Sequence, residues 1–317
     1  MLQKENPLGL DALAGESHKG ADDAAVLPAR LDRYSRAHHR ALDMSNYAAQ
    51  HGEVKLSRKL NRCGQYLLFR DYFTVGKVRL HAAEFCKKHL LCPLCAIRRG
   101  AKLVKAYLDR LQVILSEKPQ LKCSLVSLTV KNGDDLSERF RHLQNGFKKM
   151  QQARRSHLRG KGPYVELAKA QGAVGSYEFK RGKNSGLWHP HVHMVVLHSN
   201  PLSARQLSTD LLKFTGDSFI CDVTPFYDEQ DHVSGFLEVF KYAVKFSDLP
   251  LDDNWEGFEV LSGKRLVFSF GDFWGVDVPE DLSDEQLDDL PFVELLFKYS
   301  FGKGYEFQPC HSRKETH

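Results

Sequence analysis

The chain reads as an α+β protein: a central antiparallel sheet with helices packed on it, plus an N-terminal Cys-rich module. Three observations predict this. Apolar positions switch between period two and the helical period in the order β-α-β-β-α-β-α over residues 123–246. A hairpin inside that order, joined by a Gly-containing turn, fits an antiparallel layer better than a doubly wound sheet. Four of the seven cysteines crowd into residues 63–95. A length of 317 residues with 42% apolar content suffices for one large core and a smaller module.

Residues 1–60 are polar, rich in Ala, His and Arg, and lack a sustained apolar period. They are expected to form a weakly ordered basic arm with one helix, Leu31 to Ala49. Residues 61–118 hold the cysteines and a helix over 97–117, where Leu103, Tyr107, Leu108, Leu111, Ile114 and Leu115 fall at helical spacing. Residues 119–275 are the expected sheet core. It opens with a strand, Cys123 to Lys131, and a basic helix, Asp135 to His157. Two strands, Ala173 to Lys180 and Leu187 to His198, flank the turn Arg181-Gly-Lys-Asn-Ser-Gly186. A helix from Ser203 (its N-cap) to Thr215, a strand Phe219 to Phe226, a helix Val233 to Phe246 and a strand Arg265 to Phe270 complete it. Residues 276–317 read as an acidic segment with a short helix, Phe292 to Ser300. No internal repeat is evident.

Charge is unevenly spread. Residues 248–294 carry fourteen Asp/Glu against Lys264 and Arg265, a local balance of −12, so the net +5 leaves +17 for the rest. So basic a body predicts a polyanion binder, because phosphate contacts release counterions. No apolar run approaches the ~20 residues of a membrane span. The start, Met-Leu-Gln-Lys-Glu-Asn-Pro, has no signal-peptide core. An odd cysteine count with clustered spacing fits a reducing cytoplasm better than a disulfide scaffold.

Cys63, Cys86, Cys92 and Cys95 are the first chemical constellation. Cys92-Pro-Leu-Cys95 is a tight knuckle, and four thiolates suit the closed tetrahedral sphere of structural Zn²⁺. His81 and His89 are rival ligands. Arg98, Arg99, Lys102 and Lys105 follow, so this module is itself a candidate DNA contact.

The second is the strand Trp188-His-Pro-His-Val-His-Met194. Alternation puts His189, His191 and His193 on one face, and grouped imidazoles suit a divalent metal better than unpaired burial. Glu178, on the preceding strand, reaches them if the hairpin pairs as expected; otherwise it is an ordinary exposed strand Glu. Two imidazoles and a carboxylate make an open site for Mn²⁺ or Mg²⁺.

The third is Glu238-Val-Phe-Lys-Tyr242-Ala-Val-Lys245. As one helix, it places Val233, Phe236, Leu237, Phe240 and Val244 on an apolar stripe, with Glu238, Tyr242 and Lys245 on the opposite, solvent-facing side. Beside a metal, and flanked by Lys241 and Lys245, Tyr242 becomes a candidate nucleophile; its ordinary pKa near ~10 requires cationic neighbours or a base.

Together these residues resemble the HUH endonucleases, and in particular the single-tyrosine replication initiators of rolling-circle plasmids. His191-Val-His193 matches the His-hydrophobe-His signature, and Glu238 through Lys245 resembles the Glu-x-x-Lys-Tyr-x-x-Lys motif. Leu125-Val-Ser-Leu-Thr-Val-Lys-Asn132, Phe85 to Cys95, and Gly263-Lys-Arg-Leu-Val-Phe-Ser-Phe-Gly271 resemble further family tracts, in the family's order. The likeness covers roughly residues 60–275. It implies a ferredoxin/RRM-like nuclease core and a metal held by His191 and His193, with Glu178 or His189 as third ligand. It further implies that Tyr242 attacks the scissile phosphate, leaving a 5′-phosphotyrosine and a free 3′-OH, and that Glu238 activates the terminating water. Plasmid origin DNA, single-stranded or extruded as a hairpin, is the implied partner, with host helicase and polymerase; a dimer is compatible, and no membrane is involved.

Other classes fit less well. A conjugative relaxase places its tyrosine ahead of the histidines, whereas Tyr242 follows His193 by 49 residues. A single-strand transposase of the same superfamily would not need the cysteine module. A non-catalytic zinc-containing DNA-binding regulator leaves the His cluster unexplained, and a barrel metallohydrolase requires repeated βα units.

Overall fold

A computed structural model describes residues 23–182, 184–287 and 289–309. The described chain opens with two helices, α1 (Asp23–Gln50) and α2 (Val54–Arg62), and a strand pair, β1 (Tyr66–Tyr72) and β2 (Lys77–Ala83). A long helix, α3 (Pro93–Glu117), leads into β3 (Lys122–Thr129), α4 (Leu136–Leu158), β4 (Ala170–Arg181) and β5 (Trp188–His198). Then come α5 (Ala204–Thr215), β6 (Ile220–Pro225), α6 (Glu229–Phe240), α7 (Tyr242–Ser247) and α8 (Leu251–Leu261). Three strands finish it: β7 (Val267–Gly271), β8 (Val293–Ser300) and β9 (Gly304–Gln308). The chain divides into two compact units: Met1–Arg99 with Pro279–His317, and Gly100–Val278.

The second unit is the expected sheet core. Its five strands form one antiparallel sheet in the order β6-β3-β5-β4-β7. Helices α4 and α5 begin at caps their sequences announce. Asp135 accepts from the Glu138 amide at 3.0 Å, and Ser203, the expected N-cap, from Gln206 at 3.3 Å. Gly216 then ends α5 at φ +84°, a left-handed conformation costly for other residues.

On one sheet face, Phe140 and Phe147 of α4 meet Tyr177, Phe179 and Phe268. On the other, Val174, Val195 and Leu197 pack with Leu103, Tyr107, Leu111 and Ile114 of α3, and with Phe236, Val239 and Phe240 of α6. This second core sits at one end of β4 and β5; the polar residues 176, 178, 191 and 193 continue the same strand faces beyond it.

Three expectations are corrected here. The helix foreseen over 233–246 is two: α6 stops, and α7 starts after Lys241. Tyr242, expected to face solvent, is buried at 6% exposure together with Ala243 and Phe246, because α7 lays this side against β4. The acidic stretch contains an unforeseen helix, α8, with Asp252 and Asp253 favourably placed in its first turn.

The first unit departs further from the sequence reading. The weakly ordered arm is, from residue 23 on, the helix pair α1 and α2; residues 1–22 lie outside the described residues. The short helix expected over 292–300 is instead strand β8, in a sheet ordered β2-β1-β8-β9. Residues 293–299 fit either period locally; pairing of Phe69 with Leu295 and Leu67 with Phe297 decides for the strand. The boundaries expected at 60, 118 and 275 therefore give way to a unit assembled from both ends of the described chain.

An ion-pair network ties those ends. Arg98, 1% exposed, pairs with Asp284, and donates to Tyr34 Oη at 3.0 Å and to the Leu282 carbonyl at 2.7 Å. Asp284 also accepts from Arg30 at 2.8 Å and the Leu80 amide at 2.6 Å. Burial would push its carboxyl up, but Arg98 and Arg30 outweigh that and hold it well below the usual range. Asp284→Ala should cost on the order of 3–5 kcal/mol of stability, by stranding a buried guanidinium, as read from chemical unfolding. A lowered carboxyl contributes stability above its unfolded pKa and loses it as pH falls. The gap between wild type and variant should therefore narrow below about pH 3.9, and a gap constant to pH 2 would refute this role.

Candidate active site

Hairpin register builds the site. Glu178 pairs with His191 and Ser176 with His193, so all four share one sheet face. Glu178 Oε1 lies 3.2 Å from His191 Nε2, and Oε2 lies 3.7 Å from His193 Nε2. The three residues offer ligand atoms within 4.8 Å of one another. The ordinary exposed glutamate is thus excluded, since Glu178 is 1% exposed. Burial pushes its carboxyl up, but the His191 hydrogen bond and the Lys245 charge prevail and hold it well below the usual range.

Both imidazoles have their outer nitrogens occupied. Ser127 Oγ, across the sheet on β3, is 2.8 Å from His193 Nδ1, and His191 Nδ1 is 3.2 Å from the His189 carbonyl. These contacts hold both rings with Nε2 turned toward Glu178. Burial lowers the His193 pKa to about 4, so the ring is neutral at physiological pH, as a ligand must be. Glu178 Oε2 is buried with no hydrogen-bond partner. An orphaned carboxylate oxygen beside two imidazole nitrogens is a donor set that fits a divalent cation. His189 stays outside this group. It pairs with Lys180, and its ring lies where a Cβ on Gly182 would meet Nε2 at 2.4 Å.

The helical residues reach the same carboxylate. Lys245 Nζ donates to Glu178 at 2.6 Å and to Glu238 at 3.2 Å, while Lys241 pairs with Glu238. Glu238 Oε1 is 3.7 Å from His193 Nε2. Burial would raise Glu238, yet Lys245 and Lys241 hold it below its usual value; Lys241 itself is lowered by burial and by Lys245. Ser176 Oγ donates to the Val239 carbonyl at 2.5 Å, pinning α6 beside the histidine strand. Glu178, His191, His193, Glu238, Lys241 and Lys245 thus form one connected set. Tyr242 directly follows Lys241 and stands one turn before Lys245, on a neighbouring position of α7.

The cysteines converge separately in the first unit. Cys63 Sγ lies 3.6 Å from Cys92 and 3.5 Å from Cys95, and Cys86 lies 3.6 Å from Cys95. A tetrahedral ion with metal–sulfur bonds of ~2.3 Å requires edges of roughly 3.8 Å. His81 and His89 are not part of the group. Crowding splits the thiols: contact with Cys63 first, then Cys92 and Cys95, pulls Cys86 down, while Cys92 and Cys95 are pushed up. A bound cation removes that conflict. Behind the sulfurs, His38 Nδ1 sits 2.7 Å from the Cys63 carbonyl, and Tyr305 donates to Gly64 O at 2.5 Å. Gly64 has φ +73°, and a Cβ there would meet Leu94 at 2.5 Å.

Sequence reasoning missed Ser127 and Ser176. Only their parity with Cys123 and Val174 on inward strand faces could have flagged them. Ser127→Ala should weaken Mn²⁺ binding about 10- to 100-fold by freeing the His193 ring. Calorimetric titration of DNA-free protein reads this directly; unchanged affinity would remove Ser127 from the site.

Comparison with known proteins places these residues. The family described as Replication protein matches residues 77–202, a span holding Cys86, Cys92, Cys95, Glu178, His191 and His193. "Protein rep" of Bacillus amyloliquefaciens is 25% identical over 296 residues, covering 81% of this chain and 82% of the relative. "Protein rep" of a Bacillus species is 29% identical over 163 residues, and that of Streptococcus pneumoniae 27% over 144. Against these two the chain spans only 48% and 41% of the relative's length. No solved structure matches. The resemblance to the replication initiators of rolling-circle plasmids, drawn first from short motifs, is thereby borne out by comparison over most of the chain.

Proposed function

We propose that this protein nicks one strand of plasmid origin DNA by tyrosine transesterification and so initiates rolling-circle replication. The observation that carries the reading is the connected set of Glu178, His191 and His193 with Glu238, Lys241 and Lys245, one residue from Tyr242. The strand order β6-β3-β5-β4, generated by β-α-β-β-α-β, is that of a ferredoxin/RRM-like core and supports the HUH assignment.

In this reading Glu178, His191 and His193 hold Mn²⁺ or Mg²⁺, which would supply Lewis-acid polarisation of the scissile phosphate. Tyr242 Oη forms the new P–O bond as the P–O3′ bond breaks. The phenol proton passes to solvent water, and the departing 3′ oxygen takes one proton up from solvent. Lys241 and Lys245 stabilise the phenolate and the phosphate charge that accumulates in the transition state. A phosphodiester is exchanged for a phosphodiester, so the strand remains rejoinable. Glu238, ionised and partly exposed, accepts the proton of the water that ends the cycle. Cys63, Cys86, Cys92 and Cys95 hold a structural Zn²⁺. A bacterial cytoplasmic setting belongs to the same reading, and among the described residues no helix is long and apolar enough to cross a membrane.

Incubation with Mn²⁺ and an origin oligonucleotide should yield a covalent adduct at the 5′ end, visible as a shifted band in denaturing gels. Tyr242→Phe should abolish that band while DNA binding survives; an adduct of normal yield would assign the nucleophile elsewhere. Glu238→Ala should still form adduct but release it at least about tenfold more slowly, and release at the wild-type rate would remove Glu238 as the base.

A further inference from the structure

The first unit carries a surface that nicking does not use. α1 and α2 are joined by His51-Gly52-Glu53. Gly52 takes φ +80°, and a Cβ there would meet nothing within 4 Å, so the backbone conformation alone calls for glycine. α2 packs on α1 through Leu60, fully buried, and through Ser57, whose carbonyl accepts from Ser45 Oγ at 2.8 Å. A short turn with a left-handed glycine thus joins two packed helices, and the packing fixes which side of α2 faces outward.

The outer side of α2 is uniformly cationic. Lys55, Arg58, Lys59 and Arg62 are all exposed and recur at i, i+3, i+4 and i+7. At 100° per residue they fall within an arc of about 100°, centred roughly 150° from Leu60. The nine-residue helix contains no Asp or Glu. An ordinary solvated face intersperses acids at i±4 and gains from the pairs; this one repels itself. Arg62 is engaged by Glu84 at 3.0 Å, and Glu53 precedes the helix. Lys55, Arg58 and Lys59 pair with no acid among the described residues.

We propose that α2 is a duplex-DNA docking helix, with Lys55, Arg58 and Lys59 on the phosphates bordering a groove. An exposed α-helix fits the ~12 Å major groove, and a cationic stripe along it meets the phosphates on either side. Duplex is favoured over single strand because α2 has no aromatic residue, and single-strand surfaces rely on base stacking. The proposal stands apart from the tyrosine chemistry: it gives the protein a grip on the double helix, independent of the site that cuts a single strand.

The test uses the full chain carrying Tyr242→Phe, so that binding is read without cleavage, on a 30-base-pair duplex of arbitrary sequence. Between 50 and 200 mM salt, Lys55→Ala/Arg58→Ala/Lys59→Ala should flatten the log–log salt slope by about 2.7 and weaken binding at least about tenfold. Lys59→Gln alone should flatten it by about 0.9, which keeps the test decisive if the triple variant folds poorly. With Tyr242 intact, the triple variant should form adduct on a single-stranded oligonucleotide within about twofold of wild type. An unchanged duplex slope overturns the proposal. So does an equal loss on a single-stranded oligonucleotide, or a loss seen only on phosphatidylserine vesicles.

Discussion

Glu178 sets the terms for the second unit. A carboxylate that is almost wholly inaccessible, in the middle of a sheet, loses several kcal/mol of hydration unless charge or hydrogen bonds replace it. The replacements come from three elements: His191 from the paired strand, Lys245 from α7, and Lys180 two residues along its own strand at 3.2 Å. Each fixes something. The His191 pair requires one hairpin register, since a slip by one residue would turn the histidines to the opposite face. The Lys245 pair requires α7 to lie on β4. What remains unmet is Oε2, the one oxygen a cation can complete.

The legible part of this site was the part governed by local geometry. Strand alternation is enough to group His191 with His193, and the helical spacing that put Glu238 and Lys245 on one side agrees with their 3.2 Å pair although the helix breaks between them. Glu178 stayed ambiguous, because a glutamate of given parity reads the same whether its strand face is buried or wet; only register decides. Tyr242 was misplaced because its bearing depends on whether the helix runs straight past Lys241. In the first unit, β1 pairs with β8 more than two hundred residues away, Leu67 against Phe297. No local period reveals such a partner, and without it residues 292–300 pass for a helix. The polar composition of this arm likewise hid α2 and the first turns of α1, although the helix expected over Leu31 to Ala49 lies within α1; the pair is stabilised by packing against each other.

Long-range pairing also explains the acidic stretch, which reads in sequence as a tail of its own. Its charges are spent one at a time on basic partners within each unit. Asp284 neutralises Arg98 and Arg30, Asp272 takes Lys118 at 2.9 Å, and Asp253 with Glu256 faces Arg181 at 3.5 and 3.8 Å. The cations of α2 are conspicuous against this pattern. Among the described residues, the four cations of α2 have a single ion-pair partner, Glu84 on Arg62.

Two carboxylates share one lysine here, yet their surroundings suit them to different work. Glu178 has a side-chain exposure of 0% and Glu238 of 25%, and Lys245 bridges them. Water can reach Glu238 but not Glu178. A general base for hydrolysis must meet water, whereas a metal ligand gains from its exclusion, which strengthens the electrostatic bond. Solvent access alone therefore sorts the proposed roles. It also gives a physical reason for separating them, since a single carboxylate bound to the cation would have its basicity consumed there. With Glu238 on the last turn of α6 and Tyr242 opening α7, the junction of two helices carries both the group that would make the covalent link and the group that would end it.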